Sequence, residues 1–319
     1  MVLKAEATTQ RFRELATTPV HAGYVVRCQG LAKRCGVQAV LQGFDLEVQP
    51  GEVFGIICTN SSSNTMILSI LAGLLAPDAG TCSILGQVPA KMRRRIGYMM
   101  QGQGLYPHLT VAENLQVRAM LFGLPDVVEA AAAALRHYGL APHADTQVAQ
   151  LSDGLARRAE FVAALVHDPD LLLLDEPTVG LDAAVRQEIW RDIPQLAAGG
   201  VTAVVSTQDL TEAEHFSRLA FIVEGIVRAQ GTVAEVVKQS DACSFTLRGH
   251  DTARAGPDAL RTQGIVAAYP STGGLRVITR SATAGQAHAL AQRHGLQAVS
   301  ECPSLDDAAR ALLYATSAG

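Results

Sequence analysis

An excess of charge of either sign is missing from this chain: 26 Lys+Arg stand against 30 Asp+Glu, a formal net charge of -4 over 319 residues. That balance excludes a generally basic, nucleic-acid-binding surface, and 48% hydrophobic against 18% charged residues excludes broad disorder. The six cysteines (Cys28, Cys35, Cys58, Cys82, Cys243, Cys302) contain no Cys-x-x-Cys spacing. They read as reduced thiols rather than a disulfide framework or zinc site, so a cytoplasmic compartment is expected. No long apolar run occurs: FVAALV (161–166) and LLLL (171–174) are interrupted by His, Asp or Pro. Both stop far short of the about 20 residues that a helical membrane span requires. Residues 1–23 lack the apolar centre and small-residue cleavage site of a secretory signal and are read as a mobile tail. The nine histidines include no metal-binding pair, and His137, His288 and His294 are assigned to solvated helix faces. The run RRR (93–95) is read as a solvated segment before a strand rather than a nucleic-acid site.

The length fits about two domains at roughly 100–200 residues each. YVVRCQGL and LQGFDLEVQPGEVFGII, within residues 24–57, alternate apolar and polar positions around Gly36 and Pro50-Gly51. This predicts short antiparallel strands followed by a buried strand. A loop at 58–65 then leads to a helix with MILSILAGLL (66–75) as its body and a further strand at TCSILG (81–86). AENLQVRAMLFG (112–123) and VVEAAAAALRHYG (127–139) fall in a mostly helical insert, about 102–165. Strand patterns return in LLLLDEP (171–177), VTAVVST (201–207) and RLAFIVEG (218–225), alternating with helix-like AAVRQEIWRDIPQLAAGG and LTEAEHFS. That rhythm belongs to a parallel α/β sheet. From residue 239 to 319 the texture becomes that of a small C-terminal α+β domain, so the expected division is 1–23, 24–238 and 239–319.

A strand, loop and helix in that order is the setting of a phosphate cradle, whose working pattern is G-x-x-x-x-G-K-[ST]. Here the positions are Cys58, Thr59, Asn60, Ser61, Ser62, Ser63, Asn64 and Thr65, so both glycines and the lysine are replaced and only the hydroxyl remains. The blocks that follow are ordered: MRRRIGYMMQGQGLYPHLTVAENL (92–115), then LSDGLARRAEFVAALVHDPDLLLLDEPTVGLD (151–182). Together with GEVFGII and ILSILAGLLAPDAGTCSILG they resemble the nucleotide-binding subunit of an ATP-binding-cassette (ABC) transporter over residues 24–235, in particular the ABC-2, drug-export-like type. PSLDD (303–307) is similar to a motif that closes the C-terminal extension of such subunits.

The resemblance implies an α/β P-loop NTPase core with an antiparallel β subdomain and a helical subdomain. It also implies ATP and Mg²⁺ as ligands, a second cassette as homo- or heterodimer partner, and ABC transmembrane (permease) subunits that hold the chain on the cytoplasmic face of the membrane. Carried over, Asn60, Ser61, Ser62, Ser63, Asn64, Thr65 and Met66 take the phosphate-loop positions. Thr65, Gln101 and Asp175 take those of the Mg²⁺ ligands, and Glu176 that of the general base. Ser152, Asp153 and Gly154 form the signature that meets the partner's ATP, and Asp182 lies in the D-loop. Gln208 holds the switch-histidine position and Cys35 the adenine-stacking position, where it is expected to be a small buried residue.

Asn64, Ser61, Ser63, Gln208 and Asp153 depart from the family pattern, as does Cys35. Asn64 cannot supply the cation that balances phosphate charge, and losing such a charge-assisted hydrogen bond costs about 1.5–3 kcal/mol. Ser61 and Ser63 add Cβ atoms where glycine lets the backbone approach phosphate, although their hydroxyls can donate to a weakly bound nucleotide or another anion. Gln208 lacks the proton chemistry of histidine, and Asp153 places a carboxylate near the partner's γ-phosphate. Two readings follow: an exporter cassette with impaired hydrolysis, or a noncatalytic pseudo-cassette with a structural or regulatory role.

Overall fold

The structure, a computed structural model, describes residues 23–59, 61–102, 104–250 and 252–317. The tail at 1–22 and the phosphate-loop residue Asn60 lie outside the described residues. The chain divides into two compact units, one running through Val53 and then from Thr65 to Val205, the other comprising Phe54–Asn64 and the chain from Ser206 onward. The helical insert and most of the antiparallel region therefore fall in the first unit.

In the first unit, strands β1 (Val26–Cys35), β2 (Gln38–Val48) and β4 (Ala79–Ile84) form an antiparallel sheet in the order β2-β1-β4. In β1, Val26 and Cys28 are buried at period-two spacing, and a bulge before Leu31 resets the register so that Leu31 is buried as well. Cys35 is exposed, contrary to the expectation of a buried residue. It closes β1 at the hairpin, paired with Gln38, in a run of exposed residues from 34 to 38.

Helix α1 (Ser61–Leu71) starts five residues earlier than its apolar body indicates, because the loop polar residues join its first turn. It also ends earlier. Gly73 adopts φ +68°, its N–H bonds to the Ile70 carbonyl at 3.0 Å, and the Leu74 N–H reaches the Ser69 carbonyl at 2.9 Å. This glycine-centred C-terminal cap turns Leu74 and Leu75 out of the helix.

The helical insert contains α2 (Val111–Leu121), α3 (Val127–His137) and α4 (Asp153–Leu165). Thr110 and Glu113 form a reciprocal capping box at the start of α2. Strand β5 (Ile96–Met99) runs parallel to β6 (Leu171–Asp175), and β7 (Thr202–Thr207) follows β6 in the strand order. Leu171 to Leu174 are all fully buried, which explains an unbroken leucine run in a strand covered on both faces. Between β6 and β7 lies α5 (Ala183–Ala198). The run RRR forms a short 3₁₀ turn rather than a wholly solvated segment, since Arg95 pairs with Asp170 at 2.5 Å.

His167 is buried in this unit, stacked on Phe122 with ring centroids 3.6 Å apart, and its Nε2 lies 3.1 Å from the Ile96 carbonyl. Burial lowers its pKa to about 4, against the raising effect of that carbonyl. The neutral ring is thus the form the fold accepts.

In the second unit, β3 (Val53–Cys58) pairs parallel with β8 (Arg218–Val223), which pairs antiparallel with β9 (Ile226–Gly231). Glu224 and Gly225, at φ +52° and +75°, make the two-residue turn between β8 and β9. This hairpin departs from the expected parallel rhythm. Gly55 is required inside β3, because a Cβ there would stand 2.1 Å from the Phe216 ring. LTEAEHFS forms a six-residue 3₁₀ helix, Leu210–His215, with Asp209 capping it. A further helix, α6 (Val233–Gln239), closes this region.

Beyond it come β10 (Ala242–Arg248), α7 (Thr252–Arg261), β11 (Ile265–Ser271), β12 (Gly274–Arg280), α8 (Gly285–Arg293), β13 (Gln297–Glu301) and α9 (Leu305–Ser317). The antiparallel strand order β11-β12-β10-β13 makes this a split βαβ arrangement. Pro270 is tolerated because β11 is an edge strand. Phe245, Leu247, Leu275, Val277, Ala255, Ala259, Ala287 and Leu290 belong to one buried apolar cluster. His294, expected on a solvated face, is half-buried and lies 2.9 Å from Asp258.

Alternate residues on these strands are polar. Arg276 binds Asp307 of α9 through Nη2 at 2.5 Å and Nε at 3.1 Å, and reaches Glu301 at 2.6 Å. The Tyr269 and Ser244 hydroxyls donate to Asp307 at 2.8 and 2.9 Å, as does the Ser304 backbone N–H at 2.8 Å. Burial alone would raise the Asp307 carboxyl, but these donors outweigh it and hold it well below the ordinary carboxylate range. PSLDD is thus a docking motif for the last helix.

Asp307→Ala should lower stability by about 3–5 kcal/mol in urea unfolding, since it leaves Arg276 without its main partner. His167 gives a pH dependence of defined sign. The unfolded chain binds a proton near pH 6.5 and the folded ring does not until about 4, so stability falls as pH drops through that window. The expected loss is about 3 kcal/mol, and His167→Gln should flatten the difference between unfolding curves at pH 7 and pH 4.5.

Candidate functional site

Strand β6 carries Asp175 to its C-terminal end, where Thr65 Oγ1 donates to Asp175 Oδ2 at 2.6 Å. Thr65 Oγ1 is also 3.5 Å from Gln101 Oε1, and Gln101 Nε2 donates to Glu176 Oε2 at 3.2 Å. Thr65, Gln101, Asp175 and Glu176 are therefore joined in one chain of polar contacts, although they are separated by up to 111 positions. Asp175 is fully buried and Glu176 nearly so. Glu176 also sits at φ +45°, a backbone state that costs a non-glycine residue and recurs at functional sites. Burial, opposed by a hydrogen bond from Ser69 and reinforced by the Asp175 charge, raises Tyr98 to about 12. Its phenol stays protonated at neutral pH.

Arg157 was not among the expected site residues, yet it organises this cluster. Its Nη2 donates to the carbonyls of Asp175 and Glu176, both at 2.9 Å, and Nε reaches the Pro177 carbonyl at 3.3 Å. Nη1 donates to the carbonyls of Met100 and Gly102 at 3.0 and 3.3 Å and to Glu160 at 2.7 Å. One guanidinium thus fastens the backbone beside Gln101 to the backbone beside Glu176. Nothing in LARRAE distinguishes Arg157 from a solvated helical arginine.

Ser61 begins α1, Ser62 is exposed, Ser63 is buried and Met66 is half-buried. Asn64 is wholly buried, and among the described residues neither its Nδ2 nor its Oδ1 has a hydrogen-bond partner. A buried amide with both polar ends unsatisfied carries a desolvation cost of about 1–3 kcal/mol per group. Gln208 follows β7 at an exposed position.

Ser152 caps α4 by accepting the Leu155 N–H at 3.3 Å, and Asp153 lies exposed in the first turn, where the helix dipole favours a carboxylate. Asp182 caps α5, accepting from Ala184 and Val185 at 2.9 and 3.0 Å. A Cβ on Gly154 would stand 2.9 Å from Val185 Cγ2, so the signature and the segment after Asp182 pack closely. These residues and Cys35 are not part of the contact chain around Thr65.

A buried parallel strand leading through a polar loop into a helix, with an acidic pair at the end of β6, defines a P-loop NTPase. Residues 41–179 match the family described as ABC transporter. A Nod factor export ATP-binding protein I from Burkholderia pseudomallei is 39% identical over 224 residues, covering 67% of this chain and 73% of that protein. Its counterpart from Burkholderia orbicola is 37% identical over 243 residues, covering 74% and 78%. A solved ATP-binding subunit of an ABC transporter superposes with TM-score 0.61 at 28% identity, covering 67% of this chain and 92% of that one. A dimeric ATP-binding cassette in a post-hydrolysis state with ADP and Pi gives the same TM-score at 25% identity, covering 65% and 98%. The chain belongs to the ABC transporter family, as an ATP-binding subunit. Members of that family bind ATP, typically with Mg²⁺, and their cassettes dimerise and pair with transmembrane subunits. No helix among the described residues is long and apolar enough to cross a membrane.

Arg157→Ala should lower stability by about 3 kcal/mol, because six acceptors lose one buried donor group. Hydrogen exchange should increase at residues 99–102 and 175–178. Arg157→Lys should behave similarly, since an ammonium cannot span these acceptors.

Proposed function

We propose that this subunit couples nucleotide binding to export through ABC permease subunits at the cytoplasmic face of a membrane, while its own hydrolysis of ATP is impaired. Residues 24–238 form the cassette in this reading and 239–319 an accessory domain. The observation that carries it is Asn64, a buried uncharged amide at the phosphate-loop lysine position with no hydrogen-bond partner among the described residues.

The donor set around Asp175 suits Mg²⁺. Thr65 offers a hydroxyl, Gln101 an amide oxygen and Asp175 a carboxylate, the hard oxygen ligands that this ion prefers beside phosphate oxygens. When bound, the ion supplies charge neutralisation for phosphate. Glu176, held by Gln101, is placed to accept a proton from water, and the amide anchors its orientation. The anion side of the site is weaker. Asn64 can donate a neutral hydrogen bond but cannot balance β- and γ-phosphate charge, and Gln208 provides no imidazole. Ser62 and Ser63 offer hydroxyl donors in partial compensation.

Asp153 supports the same conclusion from the other face of a cassette dimer. A carboxylate in the signature disfavours closure onto the partner's γ-phosphate, so homodimer and heterodimer alike would turn over poorly. The similarity to Nod factor export ATP-binding proteins supports an export role. The second reading, a noncatalytic pseudo-cassette, draws on the same Asn64 and Asp153.

Calorimetric titration with Mg-ATP should give weak saturable binding that Asn64→Lys tightens by about tenfold to a hundredfold. Asp175→Asn should abolish the Mg²⁺ dependence. Phosphate release above that of Glu176→Gln would establish a slow ATPase. No binding at millimolar ATP, alone or with the permease, would leave the pseudo-cassette reading.

A further inference from the structure

Cys28 and Cys82 occupy directly opposite positions on the antiparallel strands β1 and β4, and their Sγ atoms lie 3.1 Å apart. Opposed residues in such a pair have Cα atoms about 4.5–5.5 Å apart, inside the roughly 4.4–6.8 Å window of natural disulfides. Both side chains already point to the same face. The sulfurs need to approach by about 1 Å to reach bonding distance, a movement available to side-chain torsions alone. We propose that Cys28 and Cys82 form a reversible cross-strand disulfide, making the β1-β4 pair a site of thiol-disulfide modification.

The two thiols differ in a way that orders the chemistry. Cys28 is 1% exposed and donates its S–H to Cys82, and this hydrogen bond, together with burial, keeps its proton on. Cys82 is half-buried, the more exposed residue of the two, and is assigned as the thiol that meets an outside reagent first. With a low-molecular-weight disulfide such as oxidised glutathione as oxidant, the Cys82 thiolate attacks one sulfur of the reagent and expels a glutathione thiolate. Cys28 then gives up its proton to solvent, and its sulfur attacks the Cys82 sulfur of the mixed disulfide, expelling the second glutathione thiolate. The protein loses two electrons and two protons, and the reagent leaves as two reduced thiols.

Such a bond would tie together positions 54 residues apart in sequence. It would fix β1 to β4 in the strand that ends at Cys35. In a reducing compartment a cross-link of this kind is transient and responsive rather than structural.

The test uses the full chain, incubated with oxidised glutathione, unfolded in the presence of iodoacetamide and digested for peptide mass analysis. The expected result is a peptide pair joining Cys28 to Cys82, two hydrogens lighter than the sum of its parts, with neither thiol alkylated. Dithiothreitol should restore both. The oxidised protein should unfold at a higher urea concentration and show slower hydrogen exchange at 26–35 and 79–84. Cys82→Ala must abolish the cross-link while retaining the fold. Cys28→Ser serves as the second variant, because Cys28→Ala opens a gap in the core. A folded wild-type protein whose Cys28 and Cys82 both remain alkylatable would overturn the assignment. So would glutathione retained on Cys82 without transfer to Cys28, or a bridge from Cys82 to another cysteine.

Discussion

The arrangement of the candidate site depends on the buried guanidinium of Arg157. Its donors span backbone carbonyls on two segments that are remote in sequence, Met100 and Gly102 on one side and Asp175, Glu176 and Pro177 on the other. Carbonyl oxygens at chain turns are costly to bury unless they are bonded, and a planar fork of five N–H groups satisfies several at once. Glu160 neutralises the guanidinium and also accepts the Gly104 N–H, which extends the support along the segment that follows Gln101. The strained backbone of Glu176 persists because this network over-determines it.

Thr65, Gln101, Asp175 and Glu176 retain mutual hydrogen-bond geometry, so oxygen donors for a divalent ion stand ready. Asn64, by contrast, is buried with neither end of its amide bonded among the described residues. An unsatisfied buried amide works against stability. The departure at Asp153 is locally stable, because an acid in the first turn of α4 complements the helix dipole. Local helix energetics thus tolerate a residue that a nucleotide sandwich would resist.

The C-terminal region depends on a comparable buried ion pair. The split βαβ sheet has an apolar layer and, at alternate positions, the polar residues Ser244, Thr246 and Arg276; Asp307 of α9 bonds to Ser244 and Arg276, and Glu301 to Thr246. This accounts physically for PSLDD: Ser304 supplies a backbone donor to Asp307 and accepts the Asp307 N–H in return, fixing the first turn of the helix.

Much of the fold was legible in the sequence, because burial imposes period. The unbroken LLLL run requires a strand covered on both faces, the alternation in β1 and β2 requires a half-covered sheet, and Gly-Pro punctuation marks the helical insert. The acidic pair at 175–176 and Gln101 could be singled out because their motifs are local. Features governed by long-range packing were not legible. The early start of α1, the exposure of Cys35, the half-burial of His294 and the capping of α5 by Asp182 each depend on what neighbours supply. Sequence by itself determined which residue types stand at each motif position, including the loss of the lysine and glycines, since identity carries charge and volume wherever the chain goes. Only the tertiary structure decided that Arg157 joins two distant loops, that Asn64 has no partner among the described residues and that Cys28 faces Cys82. Distances between remote residues are set by packing and strand register, which no local pattern encodes.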